Sequence, residues 1–215
     1  MVRSPTFKVR ARGPYACFTR PEFKADRVSY EVLTPSAARG LLEAVLWKPA
    51  IRWRVERIHV LAPIKLDAIK RNEVARKAPI AGGDLGRYFA DEDGNRTQRN
   101  TLLLRDVDYI IEAHFTITDR AGSDDSLPKF VEMFERRLAR GQCFHTPYLG
   151  CREFAARVEP APSNWSIPDS LRIRRVLGMM LLDLVFENGQ GGPMRPVFFQ
   201  AMLANGLLEV PEVPQ

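Results

Sequence analysis

Between residues 101 and 118, Val107, Tyr109, Ile111, Ala113, Phe115 and Ile117 recur at every second position without a break. Side chains of a strand point alternately to opposite faces, so this period dictates a long strand with at least one buried face. A chain built around it must form a sheet. Residues 6–12 set Phe7, Val9 and Ala11 against Lys8, Arg10 and Arg12, a second strand whose exposed face is entirely basic. Residues 50–64 read as a third. Ile51, Trp53 and Val55 share a face opposite Arg52 and Arg54, after which the apolar phase flips to Ile58 and Val60. That flip places a β-bulge near Glu56–Arg57.

Helices separate these strands. Thr34-Pro35 combines an N-cap with a proline at the first helical position, and Ala38, Leu41, Leu42 and Val45 form one buried stripe. Pro49 is expected to end that helix. Ser126 is expected to cap a second helix running to about Arg140, with Leu127, Val131, Phe134 and Leu138 as its stripe, Glu132–Arg136 as an i,i+4 pair and Gly141 after its end. An apparent strand, Glu153–Val158, follows. A Pro/Ser-rich link (160–169) leads to strands at 177–187 and 196–203, and Asn205-Gly206 signals a turn before Leu207–Val210. Residues 65–100 are polar, basic and glycine-containing, too long for a simple connection, and so either functional or mobile. The order predicts an α+β chain. Residues 1–158 form a ferredoxin-like (RRM-like) βαββαβ domain with an inserted loop or hairpin, and 159–215 a small C-terminal antiparallel β-sheet.

Charge narrows the function. Residues 1–87 carry 18 of the 32 Lys/Arg but only 8 of the 26 Asp/Glu. Such asymmetry fits either a phosphate-binding half or a solvated basic face. No apolar run approaches the roughly 20 residues of a membrane span, the N-terminus has no signal-like apolar segment, and Cys17, Cys143 and Cys151 show no CxxC spacing. A reducing cytoplasm is the expected location. The histidines (His59, His114, His145) are dispersed, and the dense acids Asp91-Glu92-Asp93 and Asp124-Asp125 read as solvated loops, so neither a metal site nor any other cofactor is expected. Phosphate-loop and serine-hydrolase motifs are absent. What remains is a basic surface interleaved with aromatics, the usual composition of a reader of single-stranded RNA. Its candidate RNA contacts are Arg20, Lys24, Arg27, Tyr30, Lys48, Arg52, Arg54, Arg71 and Asn72.

Several ordered segments also resemble a known family. They are Ala16-Cys17-Phe18-Thr19-Arg20-Pro21-Glu22, Arg27-Val28-Ser29-Tyr30, Thr34 to Gly40, Trp47-Lys48-Pro49-Ala50-Ile51-Arg52-Trp53, Arg71-Asn72-Glu73-Val74, Glu112 to Phe115 and Leu149 to Phe154. Together they resemble the CRISPR RAMP proteins of the Dvulg subtype (type I-C). The resemblance implies metal-independent cleavage of the CRISPR repeat at the base of its hairpin, retention of the crRNA 5′ handle, and assembly into Cascade beside the large and backbone subunits. In the family, cleavage uses a Tyr or His just before Trp-Lys-Pro and a Lys-His pair opening the second helix. This chain has Leu46 at the first position and Lys129-Phe130 at the second. Lys129 is therefore the retained candidate, with His145 and Tyr148, and also Tyr30, as replacement proton-transfer groups. Without such a group the alternative is a handle-binding scaffold that does not cut.

Overall fold

The computed structural model describes residues 2–23, 25–75, 94–186 and 194–212. Nine strands and two α-helices follow in the order β1 (Phe7–Ala16), β2 (Arg27–Val28), α1 (Pro35–Val45), β3 (Ile51–Val60), β4 (Leu66–Val74), β5 (Arg96–Ile117), α2 (Leu127–Ala139), β6 (Arg157–Pro160), β7 (Arg174–Phe186), β8 (Met194–Ala204) and β9 (Leu207–Glu209) among the described residues. The alternating segment is β5, the axis of one mixed α+β sheet ordered β6-β1-β5-β3-β9-β8-β7. It starts earlier than the apolar pattern showed. Its first half pairs antiparallel with β4, from Leu66↔Leu104 to Val74↔Arg96, so a hairpin lies at the start of the 65–100 insert. Residues 76–93 of that insert are outside the described residues.

The second half of β5 lies between β1 (Phe7↔Ala113, Val9↔Ile111) and β3 (Trp53↔Phe115, Val60↔Tyr109). The β3 register shifts between Val55 and Arg57, where the phase flip requires it. Phe7, Trp53, Phe115 and Phe134 interlock with centroids 4.6–5.8 Å apart, which clamps α2 onto the sheet.

Both helices start where the sequence places them, and the second departs from expectation in its cap and its buried stripe. Thr34 caps α1 by accepting from the Ala37 amide. The helix stops at Val45, four residues before Pro49. Proline has no N–H to give the Val45 carbonyl, and Arg137 supplies the missing donor at 3.0 Å. Ser126 occupies the N-cap of α2 but its side chain makes no cap bond. The buried stripe of α2 is Phe130, Phe134 and Leu138, rotated from the expected one so that Phe130 faces the core. The expected strand Glu153–Val158 is displaced to Arg157–Pro160. Residues 149–154 form a closed turn, with Leu149 N–H bonded to the Phe154 carbonyl, because Gly150 at φ +85° bends the backbone.

At the C-terminus, Asn205 and Gly206 both have positive φ and close a two-residue hairpin between β8 and β9. β9 pairs with β3 at Arg57–His59, so the C-terminal strands continue the main sheet. Among the described residues no helix is long and apolar enough to cross a membrane.

Candidate RNA-processing site

The N-terminus of α2 and the Lys48-Pro49-Ala50 segment enclose a cleft of about 250 Å³, also lined by Arg120, Asp125, Phe130 and Met133. Lys129 borders it from the first turn of the helix. Its ammonium donates to Asp125 Oδ1 at 3.3 Å and to the Asp124 carbonyl at 3.1 Å. Asp125 is held in turn by the Gly122 amide, which, with help from Lys129, keeps its carboxyl below the ordinary value. Lys48 and Arg120 bring two further exposed cations, and neither forms a salt bridge among the described residues. Three cations against one paired carboxylate make the cleft electropositive. Leu46 and Phe130, the two positions that depart from the family pattern, are 0% and 1% exposed. The Leu46 carbonyl accepts from Trp53 Nε1 at 3.0 Å. Both side chains are hydrocarbon, so neither can hand a proton to a substrate, and both pack in the core.

The two candidate replacement rings lie beside this cleft rather than in it. Phe144 and His145 reach the Ala44 carbonyl with their amides, which docks their loop on the end of α1. From there a chain of rings runs Trp47–Phe144 (6.3 Å), Phe144–His145 (6.0 Å) and His145–Tyr148 (6.2 Å). Trp47 thus joins the rings to Lys48 and the cleft. No hydrogen bond links His145 or Tyr148 to Lys129 among the described residues. Tyr30 is 1% exposed, its ring covered by the Arg20 guanidinium 4.7 Å away. It positions Arg20 and offers no free face.

The remaining candidates divide in two. Arg52 is exposed and Arg54 half-buried on β3, and neither forms a salt bridge among the described residues. Burial, then repulsion from Arg52, lowers the Arg54 pKa. Arg27 and Arg71 are instead engaged with carboxylates. Arg27 meets Glu73 at 3.2 Å and Glu153 at 3.4 Å, Arg71 also bonds Glu153, and Arg99 joins Glu73 at 3.4 Å. Asn72 accepts from Gln98 across the hairpin. Three motif blocks far apart in sequence therefore meet in one ionic knot at the base of the β4–β5 hairpin. Lys24 lies outside the described residues. The basic stripe of β1 is neutralised as well: Lys8 pairs with Glu112, Arg10 with Asp108 and Arg12 with Glu159.

Sequence reasoning missed Arg120, Asp125, Trp47 and Phe144. Asp125 lies four residues before Lys129, a spacing that signals pairing on a helix. Nothing local marks Arg120, which the fold alone brings to the cleft. No group of three or more His, Cys, Asp or Glu able to hold a metal ion occurs among the described residues.

Comparison with solved structures places this architecture in a known class. A crystal structure described as a CRISPR-associated protein superposes with TM-score 0.73 at 22% identity, covering 99% of this chain and 94% of that one. A chain of a CRISPR RNA-guided surveillance complex shares the fold with TM-score 0.51 at 14% identity, covering 91% and 87%. Residues 6–211 match the Cas_Cas5d family model, described as CRISPR-associated protein (Cas_Cas5). A protein of Mannheimia succiniciproducens named CRISPR pre-crRNA endoribonuclease Cas5d is 46% identical over 211 residues, covering 93% of this chain and 92% of its own. A protein of the same name from Thermus thermophilus is 46% identical over 219 residues, covering 95% and 90%. The chain belongs to the Cas5d family of CRISPR-associated proteins.

Proposed function

We propose that this protein is the type I-C (Dvulg) subunit that binds the CRISPR repeat and its 5′ handle and cleaves pre-crRNA. The observation that carries this reading is the cleft where Lys129, Lys48 and Arg120 converge beside a row of exposed rings. The two 46% identical relatives named as pre-crRNA endoribonucleases support it. The strand order β6-β1-β5-β3, with a helix in each crossover, supports a ferredoxin-like core. Residues 1–158 are the RNA-binding and processing unit in this reading, and 159–215 its β-sheet appendage.

In the proposed reaction the ribose 2′-OH beside the cut attacks the adjacent phosphate and the 5′ oxygen leaves. The products are a 2′,3′-cyclic phosphate and a 5′-OH. The attacking oxygen is the RNA's own, so what the protein must supply is charge and proton transfer. Lys129, with Lys48 and Arg120, stabilises the dianionic phosphorane, and Asp125 fixes the ammonium in the cleft. His145 and Tyr148 serve as proton-transfer groups for a strand that crosses Trp47-Lys48. Arg20, Arg52 and Arg54 extend the phosphate track, while Arg27, Arg71 and Asn72 hold the hairpin against it, with Lys24 in the same segment. The partners are the crRNA and the large and backbone subunits of Cascade, in the cytoplasm.

One observation favours a second reading. Leu46 and Phe130 are both core residues, which fits a scaffold that keeps the handle without cutting. Incubating the chain with end-labelled cognate repeat RNA in EDTA decides between the two. The enzyme reading predicts one discrete cut, slowed about 100- to 1,000-fold in Lys129→Ala, the usual effect of removing one group that stabilises transition-state charge. Tight binding without any cut by the wild type would leave the scaffold reading standing.

A further inference from the structure

Trp47 and Phe144 are 44% and 65% exposed, although they touch each other. The aromatic residues Phe7, Trp53, Phe115, Phe130 and Phe134 lie in the core, and Trp47 and Phe144 lie outside it. Loose loop rings would be unremarkable, but these are held. The Phe144 amide donates to the Ala44 carbonyl at 2.7 Å, Pro147 is buried, and Trp47 follows Leu46, whose amide closes the last bond of α1 on Leu42. The backbone beneath both exposed rings is therefore held, and Trp47 directly precedes Lys48 of the cationic cleft.

Cations that hold phosphates beside flat rings that receive bases are the recurrent composition of a single-strand binding surface. Paired bases in a duplex are already stacked and have no free face, whereas unpaired nucleotides do. We propose that Trp47 and Phe144 form a stacking shelf for unpaired bases next to the phosphate held in the Lys48–Arg120–Lys129 cleft. The ligand is single-stranded RNA that flanks the repeat hairpin. This inference rests on the proposed function and assigns the bases beside the cut to a particular surface. A shelf there also fixes the reacting ribose against the cleft, because base, sugar and phosphate are covalently joined.

The test uses the full chain, with 2′-deoxyribose on the 5′ side of the cut phosphate in the flanked probe so that bound RNA stays intact. Two probes are titrated by fluorescence anisotropy: the repeat hairpin with its single-stranded flank, and the same hairpin trimmed of the flank. Base–aromatic stacking of the usual strength predicts that Trp47→Ala and Phe144→Ala each weaken the flanked probe by about 5- to 150-fold. The trimmed hairpin is expected to bind all variants alike, and Trp47→Phe to keep most of the affinity. Equal binding of the flanked probe by every variant overturns the shelf, as does an equal loss on both probes. Variants that bind RNA normally but no longer co-purify with the other subunits of the complex would make the patch a protein contact, and so also overturn it. If the parent chain binds neither probe, the RNA reading of the whole site falls with the shelf.

Discussion

Gly150→Ala should damage this protein through contacts that can be counted. Gly150 sits at φ +85°, and a Cβ added there would lie 2.0 Å from the Cys17 carbonyl oxygen and 2.6 Å from its carbon. Backbone cannot yield as a flexible side chain can. Relief requires a shift of about 1.5 Å to reach ordinary contact distance. Such a shift opens the bond from the Cys17 amide to the Leu149 carbonyl, now 3.0 Å, at a residue with no exposed surface. The left-handed backbone costs an alanine about 1–2 kcal/mol, and one buried hydrogen bond left unmade costs about 1–3 kcal/mol. A total of about 2–5 kcal/mol lowers Tm by about 4–20 °C in a chain of this size. Gly40→Ala is the control. Gly40 is exposed in α1 with nothing within 4 Å of the added carbon, so the substitution should gain up to about 1 kcal/mol from helix propensity. Calorimetry or a urea titration reads both. A Gly150→Ala protein that melts with the wild type would refute the account of how the 149–154 turn docks on the end of β1.

Asp125→Ala removes the anchor of Lys129, an exposed ion pair and an exposed bond from the Gly122 amide, so repeat cleavage should slow about 10-fold or more while Tm falls by only a few degrees. Among the thiols, Cys151 donates to the Cys17 carbonyl at 3.6 Å and accepts from the Arg27 guanidinium at 3.7 Å, and the neighbouring Cys17 thiol, then Arg27, lowers its pKa, whereas burial raises that of Cys143. Limited iodoacetamide treatment at neutral pH, followed by peptide mass mapping, should therefore find Cys151 modified before the more exposed Cys143. Stability should fall on acidification in two stages. Burial, then Arg3, lowers the His114 pKa from 6.5, so its contribution is complete above about pH 6.5 and is lost as pH falls through the folded value. Burial pushes the Glu112 carboxyl up, but His59, Lys8 and Arg57 outweigh it and hold it below 4.5, so its contribution is lost at still lower pH. Urea midpoints from pH 8 down through the carboxylate range should trace both stages, and His114→Gln should remove the first.

What was legible in the sequence was local. The period of two in β5, the phase flip at Val55–Arg57, Thr34-Pro35 and Asn205-Gly206 each act through a few neighbouring residues, and the structure shows them where the sequence implied. The errors lie where distant residues compete. Phe130 stands next to Lys129 in a family motif, yet the Phe7–Trp53–Phe115–Phe134 cluster sets the rotation of α2 and draws Phe130 inward. Arg27 and Arg71 read as free cations until folding brings Glu73 and Glu153 against them. Glu153–Val158 alternates like a strand, but one glycine and the Cys17 carbonyl turn its first half into a loop. In the candidate site Lys129 was readable from its motif, while Arg120 and the Trp47–Phe144 contact exist only in three dimensions.

The central claim is that the RNA supplies its own nucleophile in the Lys129 cleft. The most direct test maps the cut in the cognate repeat, then replaces the ribose on the 5′ side of that phosphate with 2′-deoxyribose. The account predicts that the substituted RNA binds as tightly as the original and is not cut, while the unmodified RNA yields a 2′,3′-cyclic phosphate and a 5′-OH. Cleavage of the 2′-deoxy substrate at the same position would contradict it.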